Sequence, residues 1–256
     1  MGVLKDILSR IKGEKTIAVV NDKDSIISIT DNGESKSMKL DGWTYSRFDK
    51  KKIYTFSYWD YFIPLPSLFK DPNMLMIGLG GGTIIRQLNA IYGPSFKMDA
   101  VEISQKVIDL SRKYFGDFPP EVNVINGDGA KFIEDKTAQY NIIILDAYDK
   151  IEIPKVFLEQ DFINDAYNAL KNKGVLAINY ALLIKSTIIL GSFISRLKKL
   201  FGSVYKVSFG MESGNIMILC SKNMDKKEIQ SLVGSRFSSV PEAKHILNAY
   251  LDMSEK

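Results

Sequence analysis

The sequence predicts an α/β fold: a doubly wound, mostly parallel sheet preceded by a small N-terminal antiparallel β domain. Three observations carry this expectation. From residue 73 onward, short apolar runs of strand length alternate with stretches of helical spacing, the pattern of parallel strands joined by crossover helices. The first such run, Met74-Leu75-Met76-Ile77, is continuously apolar, as a strand buried on both faces is, and passes straight into Gly78-Leu79-Gly80-Gly81-Gly82-Thr83. Before residue 55, by contrast, short β-type runs are separated by Asn32-Gly33 and Asp41-Gly42, dipeptides that supply the positive φ of tight hairpins.

In chain order, a short amphipathic helix is expected over 3–11, followed by strands at 16–20, 25–30 and 37–40. A unit this small is not stable alone, so it should pack on the larger domain or on a second subunit. Around Pro64, Pro66 and Pro72 the pattern changes, which marks the end of a helix and a linker. The division falls at residue 66: a β domain over 1–66 and a Rossmann-like, cofactor-binding catalytic domain over 67–256. In the second part strands are expected at 74–77, 97–101, 122–125, 141–145 and 174–179. The helices between and after them fall at 83–92, 105–114, 130–135, 158–170 and 186–201. Two closing runs, 204–209 and 216–219, should form an antiparallel hairpin around Ser213-Gly214.

Composition excludes several classes. With 256 residues, 45% of them hydrophobic, the chain can bury a large core without staples. A single cysteine, Cys220, rules out an internal disulfide, and one histidine, His245, leaves no Cys/His cluster for a metal. Cys220 is expected to be buried in its strand, and His245 to lie on a helix surface. The net charge of +4 comes from scattered lysines and argues for solubility rather than nucleic-acid binding. The N-terminus has neither the apolar stretch of a signal peptide nor a myristoylation pattern, and no run approaches the ~18 apolar residues that cross a bilayer. A cytoplasmic protein without a membrane partner is expected.

In a doubly wound sheet ligands sit beyond the carboxyl ends of the strands, and there this sequence places glycines and acids. The turn from Gly78 to Thr83, with Gly80, Gly81 and Gly82, lets a ligand approach the backbone at a helix N-terminus. The second strand ends at Glu102, positioned to accept the hydroxyls of a ribose; an acidic helix cap would occupy the same place. The third ends in Asn126-Gly127-Asp128-Gly129, where Asp128 either reads an adenine amino group or caps a helix. The fourth ends in Asp146-Ala147-Tyr148-Asp149. A solvated loop explains Asp149, but explains Asp146 less well because it abuts the buried strand. A nicotinamide dehydrogenase would share the glycine turn and Glu102. The further acids suit an adenosyl-sulfonium ligand of the S-adenosylmethionine type better. Tyr58, Trp59, Tyr61 and Phe62 either wall an amine pocket through cation–π attraction or pack between the domains.

As a set, Leu40-Asp41-Gly42, Ile77 to Thr83, Val101-Glu102-Ile103, Gly127-Asp128-Gly129, Ile144 to Asp149 and Gly174-Val175-Leu176 resemble the spermidine synthase-like polyamine aminopropyltransferases. The resemblance implies a methyltransferase-type fold and transfer of an aminopropyl group from decarboxylated S-adenosylmethionine to a diamine such as putrescine, with no metal. It implies that Gly78, Gly80, Gly81, Gly82, Glu102, Asp128 and Gly129 hold the co-substrate and that Asp146 accepts the proton. Asp149, with Tyr58, Asp60 and Tyr148, would hold the amine. A homodimer or tetramer is also implied. Physical chemistry gives Asp146 its task independently. A primary amine with a pKa near ~10.4 is protonated at neutral pH, and freeing its lone pair costs about 4 to 5 kcal/mol. A carboxylate that takes the proton therefore contributes to rate.

The departures open alternatives. The family carries an Asp where this chain has Gly81, a Gln where it has Tyr45, and Tyr-His-Glu where it has Tyr58-Trp59-Asp60. The family's Asp meets the amino group of the decarboxylated co-substrate and repels the carboxylate of intact S-adenosylmethionine. With Gly81 that repulsion is gone, so a methyltransferase using the intact compound is the second reading. A catalytically silent binding protein is the third.

Overall fold

The computed structural model describes residues 13–182, 184–208 and 214–256. The helix expected over 3–11, and Ser213 of the expected hairpin, lie outside the described residues. The N-terminal unit is a four-stranded antiparallel meander of β1 (Lys15–Asp22), β2 (Ser25–Asp31), β3 (Ser35–Leu40) and β4 (Trp43–Asp49). The fourth strand, given no bounds from sequence, follows the expected turn: Asp41 and Gly42, at φ 47° and 83°, fold it back on β3. Alternation along β2 and β3 turns Ile27, Ile29 and Met38 inward, where they pack on Leu110 and Phe115 of the larger domain. Of the two expected supports for this unit, the structure shows the first.

Between the two sheets the expected helix is absent. Tyr58–Phe62 and Leu65–Leu68 are two 3-10 turns. Pro64 and Pro66 have no N–H to continue an α-helical ladder, so hydrogen bonding stops at Ile63, which donates to the Asp60 carbonyl. These turns are buried: Trp59, Tyr61, Phe62, Ile63, Leu65 and Leu68 lie in the core under the larger sheet. The residues just before position 66 thus pack with the larger sheet rather than with the meander.

The larger domain alternates as expected. β5 (Asn73–Ile77), α1 (Thr83–Tyr92), β6 (Lys97–Glu102), α2 (Gln105–Phe115), β7 (Val122–Asn126), α3 (Gly129–Ile133), β8 (Tyr140–Leu145) and α4 (Gln160–Ala169) come first. β9 (Leu170–Ala181), α5 (Ile184–Lys198), β10 (Ser203–Ser208), β11 (Asn215–Ser221), α6 (Lys226–Phe237), α7 (Lys244–Leu251) and β12 (Ser254–Glu255) complete the chain. The eight strands are ordered β12-β10-β11-β9-β8-β5-β6-β7. β5 through β9 are parallel, whereas β10 and β11 are antiparallel. Strand order runs outward in opposite directions from β5 and β8, so the crevice beyond these two strands is the switch point where ligands bind in such sheets. Alternate side chains of the central strands feed two cores. Met74, Met76, Ile142 and Ile144 face α1, α6 and α7, and Leu75, Ile77, Ile143 and Leu145 face α3, α4 and α5. Cys220 is buried there, and burial raises its thiol pKa. No helix among the described residues is long and apolar enough to cross a membrane.

The C-terminal α6 and β12 were not anticipated; His245 does lie on a helix, α7, but the expected surface position is corrected. Rather than lying on a helix surface, the ring packs beside Tyr54, Phe56 and Tyr61, and its Nε2–H donates to Asp60 at 3.0 Å. Asp60 is 0% exposed. Its carboxylate accepts five hydrogen bonds: from Thr55 N and Oγ1, Phe56 N, Gln87 Nε2 and His245 Nε2. Tyr250 donates to the Tyr61 carbonyl and Tyr92 to that of Ile63, tying α7 and α1 to the same turns. Replacing Asp60 by Ala strands buried donors, each costing ~1–3 kcal/mol. Asp60→Ala is therefore expected to lower the unfolding free energy by about 3 kcal/mol or more, read as a reduced urea midpoint. A midpoint equal to wild type would contradict the role given to this cluster.

Candidate active site

The centre of the site is the place where the ends of β5 and β8 touch. Gly78, at φ +91°, lies so close to the neighbouring chain that a Cβ on it would fall 2.3 Å from the Asp146 carbonyl oxygen. Only glycine fits both the conformation and the space. The Asp146 N–H donates to the Ile77 carbonyl and the Gly78 N–H to that of Val101. The glycine turn and Asp146 are thereby joined through backbone alone.

Glu102 holds the turn from the other side. It is 9% exposed, with Oε2 accepting from Leu79 N at 3.0 Å and Gly80 N at 3.3 Å, and Oε1 from Ser104 N at 3.0 Å. Burial raises its pKa, and the backbone donors oppose that rise. The helix-cap alternative does not describe it, because Ser104 is the N-cap of α2, accepting from Val107 N. Asp128 does cap α3: Oδ1 accepts from Ala130 N at 2.9 Å and Lys131 N at 3.5 Å. Gly129 packs directly against Ile77 at the end of β5.

Gly81 meets a residue that sequence reasoning passed over. Its N–H donates to Ser46 Oγ at 2.6 Å, and the Ser46 hydroxyl donates to the Tyr45 carbonyl at 2.7 Å. A Cβ at position 81 would fall 2.8 Å from the Ser46 Cβ, so the strand β4 occupies the space a larger residue would need. Next to it, Thr83 Oγ1 accepts from Arg47 N and donates to the Arg47 carbonyl, both at 3.0 Å. β4 is thus fastened to the start of α1, and no local sequence signal announces this.

On the β8 side, Asp146 Oδ1 accepts from Asn179 Nδ2 at 2.7 Å, and Asn179 Oδ1 accepts from Asn215 Nδ2 at 2.8 Å. Burial pushes the Asp146 carboxyl up to about 7, with the Asn179 bond opposing. Tyr58 and Tyr148 have pKa values raised by burial first and by the Asp146 charge second; Tyr45 is raised by burial, then Asp149, then Asp146. Three phenols therefore lie within electrostatic reach of one carboxylate. Tyr148 donates to the Asn179 carbonyl at 2.8 Å, and Tyr45 donates to the carbonyl of Lys150. Asp149 pairs its backbone with Glu152 in a tight turn.

Of the residues expected from sequence, the structure brings Tyr58, Tyr148, Asp146 and the glycine turn together, with Glu102 holding the turn. Asp60 is not brought there: both of its oxygens are committed to the buried cluster, and it anchors the turn that carries Tyr58. Tyr45, Ser46 and Asn179 were missed. Asn179 had a signal, a polar residue at the carboxyl end of an apolar strand; Tyr45 was read only as a departure. No group of three or more His, Cys, Asp or Glu side chains among the described residues is disposed to hold a metal.

Comparison with known proteins agrees with this architecture. A probable polyamine aminopropyl transferase of Bifidobacterium longum is 30% identical over 203 residues, covering 78% of this chain and 43% of the relative. The chain spans less than half the length of the curated relatives it matches first. Among solved structures, a probable spermidine synthase from Corynebacterium glutamicum superposes with a TM-score of 0.72 at 18% identity, covering 93% of this chain and 90% of that one. A spermidine synthase in complex with the transition state analogue AdoDATO gives 0.70 at 20% identity, covering 91% and 88%. These likenesses establish the shared fold. The model of the spermine/spermidine synthase domain matches residues 57–224, and the chain belongs to that family.

Proposed function

We propose that the protein transfers an aminopropyl group from decarboxylated S-adenosylmethionine to a diamine such as putrescine. The observation that carries this reading is Asp146: a carboxyl raised to about 7, within electrostatic reach of three phenols and joined through the backbone to the glycine turn. The turn suits an adenosyl ligand, since the space beside Gly78 tolerates no side chain and Glu102 lies next to it. The AdoDATO complex of the related spermidine synthase supports the same class of ligand. Gly78, Gly80, Gly81, Gly82, Glu102, Asp128 and Gly129 would hold it.

When bound, the co-substrate supplies a sulfonium whose neighbouring methylene carbon accepts a nucleophile while the C–S bond electrons return to sulfur. This chain's residues prepare the amine. Tyr58 and Tyr148 would hold an ammonium by cation–π attraction, and Asp146 would attract its charge. As the new C–N bond forms, the amine proton passes to Asp146. A carboxylate near 7 instead of 3.8 is a stronger base by ~3 pKa units, which makes the transfer about 4 kcal/mol less uphill. Asn179 holds the accepting oxygen in place. Asp149 lies in the loop fastened by Tyr45 and would help to hold the amine.

One observation favours a second reading, methyl transfer from intact S-adenosylmethionine. Gly81, with Ser46 packed on it, leaves no acid at the position from which the family's Asp repels the carboxylate of the intact compound. Large apolar side chains left exposed on the small sheet, Ile17, Val19, Ile26 and Trp43, support a homo-oligomer.

Incubation with putrescine and decarboxylated S-adenosylmethionine should release methylthioadenosine; folded protein inactive on a panel of diamines would refute the assignment. Tighter calorimetric binding of the intact compound than of the decarboxylated one would select the methyl-transfer reading. Asp146→Asn should lower turnover more than ~100-fold, and the wild-type rate should fall as pH drops below about 7. The folded-state pKa lies above the unfolded value, so the stability Asp146 contributes is full below ~pH 4 and is lost as pH rises to about 7. Thermal midpoints of wild type should therefore decline relative to Asp146→Asn across that window. Parallel curves would mean that the carboxyl is not raised.

A further inference from the structure

Between β4 and α1 lies a cavity of ≈ 260 Å³ whose lining includes none of Asp146, Tyr58, Tyr148 and Asn179, and of the glycine turn only its last residue, Thr83. Its wall carries five cations, Arg47, Lys50, Lys51, Lys52 and Arg86, and one carboxylate, Asp49. That carboxylate faces its own loop, where Oδ1 accepts from Lys51 N at 3.0 Å and Lys52 N at 3.1 Å. It thus fixes the backbone from which two lysines project. Lys50 is partly neutralised, 3.4 Å from Asp31. Lys51 and Lys52 are exposed and have no ion pair among the described residues. Arg86 is held by backbone carbonyls, those of Gly116 at 2.6 Å and of Gly81 and Asp117 at 3.4 Å, and stacks over Phe118. A second cavity of ≈ 340 Å³ shares Phe48 and Arg86 with the first.

The inner wall holds a second, independent feature. Gln87 is 4% exposed, and its Nε2 donates to the Ile53 carbonyl at 2.9 Å and to Asp60 Oδ1 at 2.7 Å. Both partners are acceptors only, so the amide cannot be turned round. Its Oε1 is buried and has no hydrogen-bond partner among the described residues. Buried polar atoms are almost always satisfied. The cavity therefore combines an excess of positive charge at its rim with one unmatched acceptor in its wall. The complementary ligand is anionic at one end and carries a hydrogen-bond donor at the other. The volume admits a small metabolite and excludes a folded partner.

We propose that this cleft binds a small phosphate ester bearing a hydroxyl or amino group, with the phosphate among Lys51, Lys52, Arg47 and Arg86 and the donor on Gln87 Oε1. Binding here does not depend on the reaction at Asp146. Calorimetry of the full chain at low ionic strength, with glycerol 3-phosphate and methyl phosphate as probes, tests it. Saturable binding of glycerol 3-phosphate is expected, about fivefold tighter than methyl phosphate because only the former has a hydroxyl for Gln87. The double variant Lys51→Ala/Lys52→Ala, altered only at exposed positions, should bind at least about tenfold more weakly with an unchanged thermal midpoint in the absence of ligand. Equal affinity for the two phosphates, affinity unchanged in the double variant, or binding of a single-stranded oligonucleotide but not of glycerol 3-phosphate would each overturn the assignment.

Discussion

The backbone contact between Gly78 and Asp146 is the constraint on which the rest of the site depends. Two strands leave the switch point in opposite directions, and their ends meet with no room for a side chain at Gly78. That contact fixes the path of the glycine turn and sets Asp146 at the mouth of the crevice rather than out in a loop. Glu102 completes the arrangement by accepting the amides of Leu79 and Gly80. The turn is therefore held by a buried carboxylate on one side and by the neighbouring strand end on the other. Such preorganisation spares a ligand the cost of ordering a loop.

The small N-terminal sheet is part of this site. β4 reaches the turn through Ser46 and the start of α1 through Arg47, while Tyr45 reaches across to the loop after β8. Apolar packing of Ile27, Ile29 and Met38 on α2 supplies the adhesion, and the polar contacts supply the register. A four-stranded sheet of short strands would be marginal alone. Docked in this way, it forms one wall of the crevice.

Competing effects set the chemistry of Asp146. Burial disfavours its charge, the Asn179 amide favours it, and burial wins, which leaves the carboxyl near neutrality. With a cationic amine nearby the balance tips towards the carboxylate, because an opposite charge offsets the desolvation that raised it. In the proposed reaction, a base so placed would respond to the arrival of a cationic amine. Asp60, the same residue type and fully buried, is instead saturated by five donors. Two aspartates thus differ in role through what surrounds them.

The elements of the larger domain were legible because strands buried on both faces read as unbroken apolar runs, and helices as amphipathic ones. The acids at strand ends were legible because sheet topology puts ligands there: Glu102, Asp128 and Asp146 all lie where that rule directs. The prolines at 64 and 66 were legible as the end of a helix, but the element before them is a 3-10 turn, set by its packing under the larger sheet. The pairing of Asp60 with His245 was missed although a helix was expected at His245, since the two lie 185 positions apart. Tyr45, Ser46 and Asn179 belong to the site through contacts between separate strands. Local periodicity and chain order are enough to set the alternation, the switch point and the carboxylates at strand ends, and all three can be read along the chain. Which carboxylate is satisfied and which is left to react is settled only on folding, because burial and hydrogen-bond partners come from residues distant in the chain.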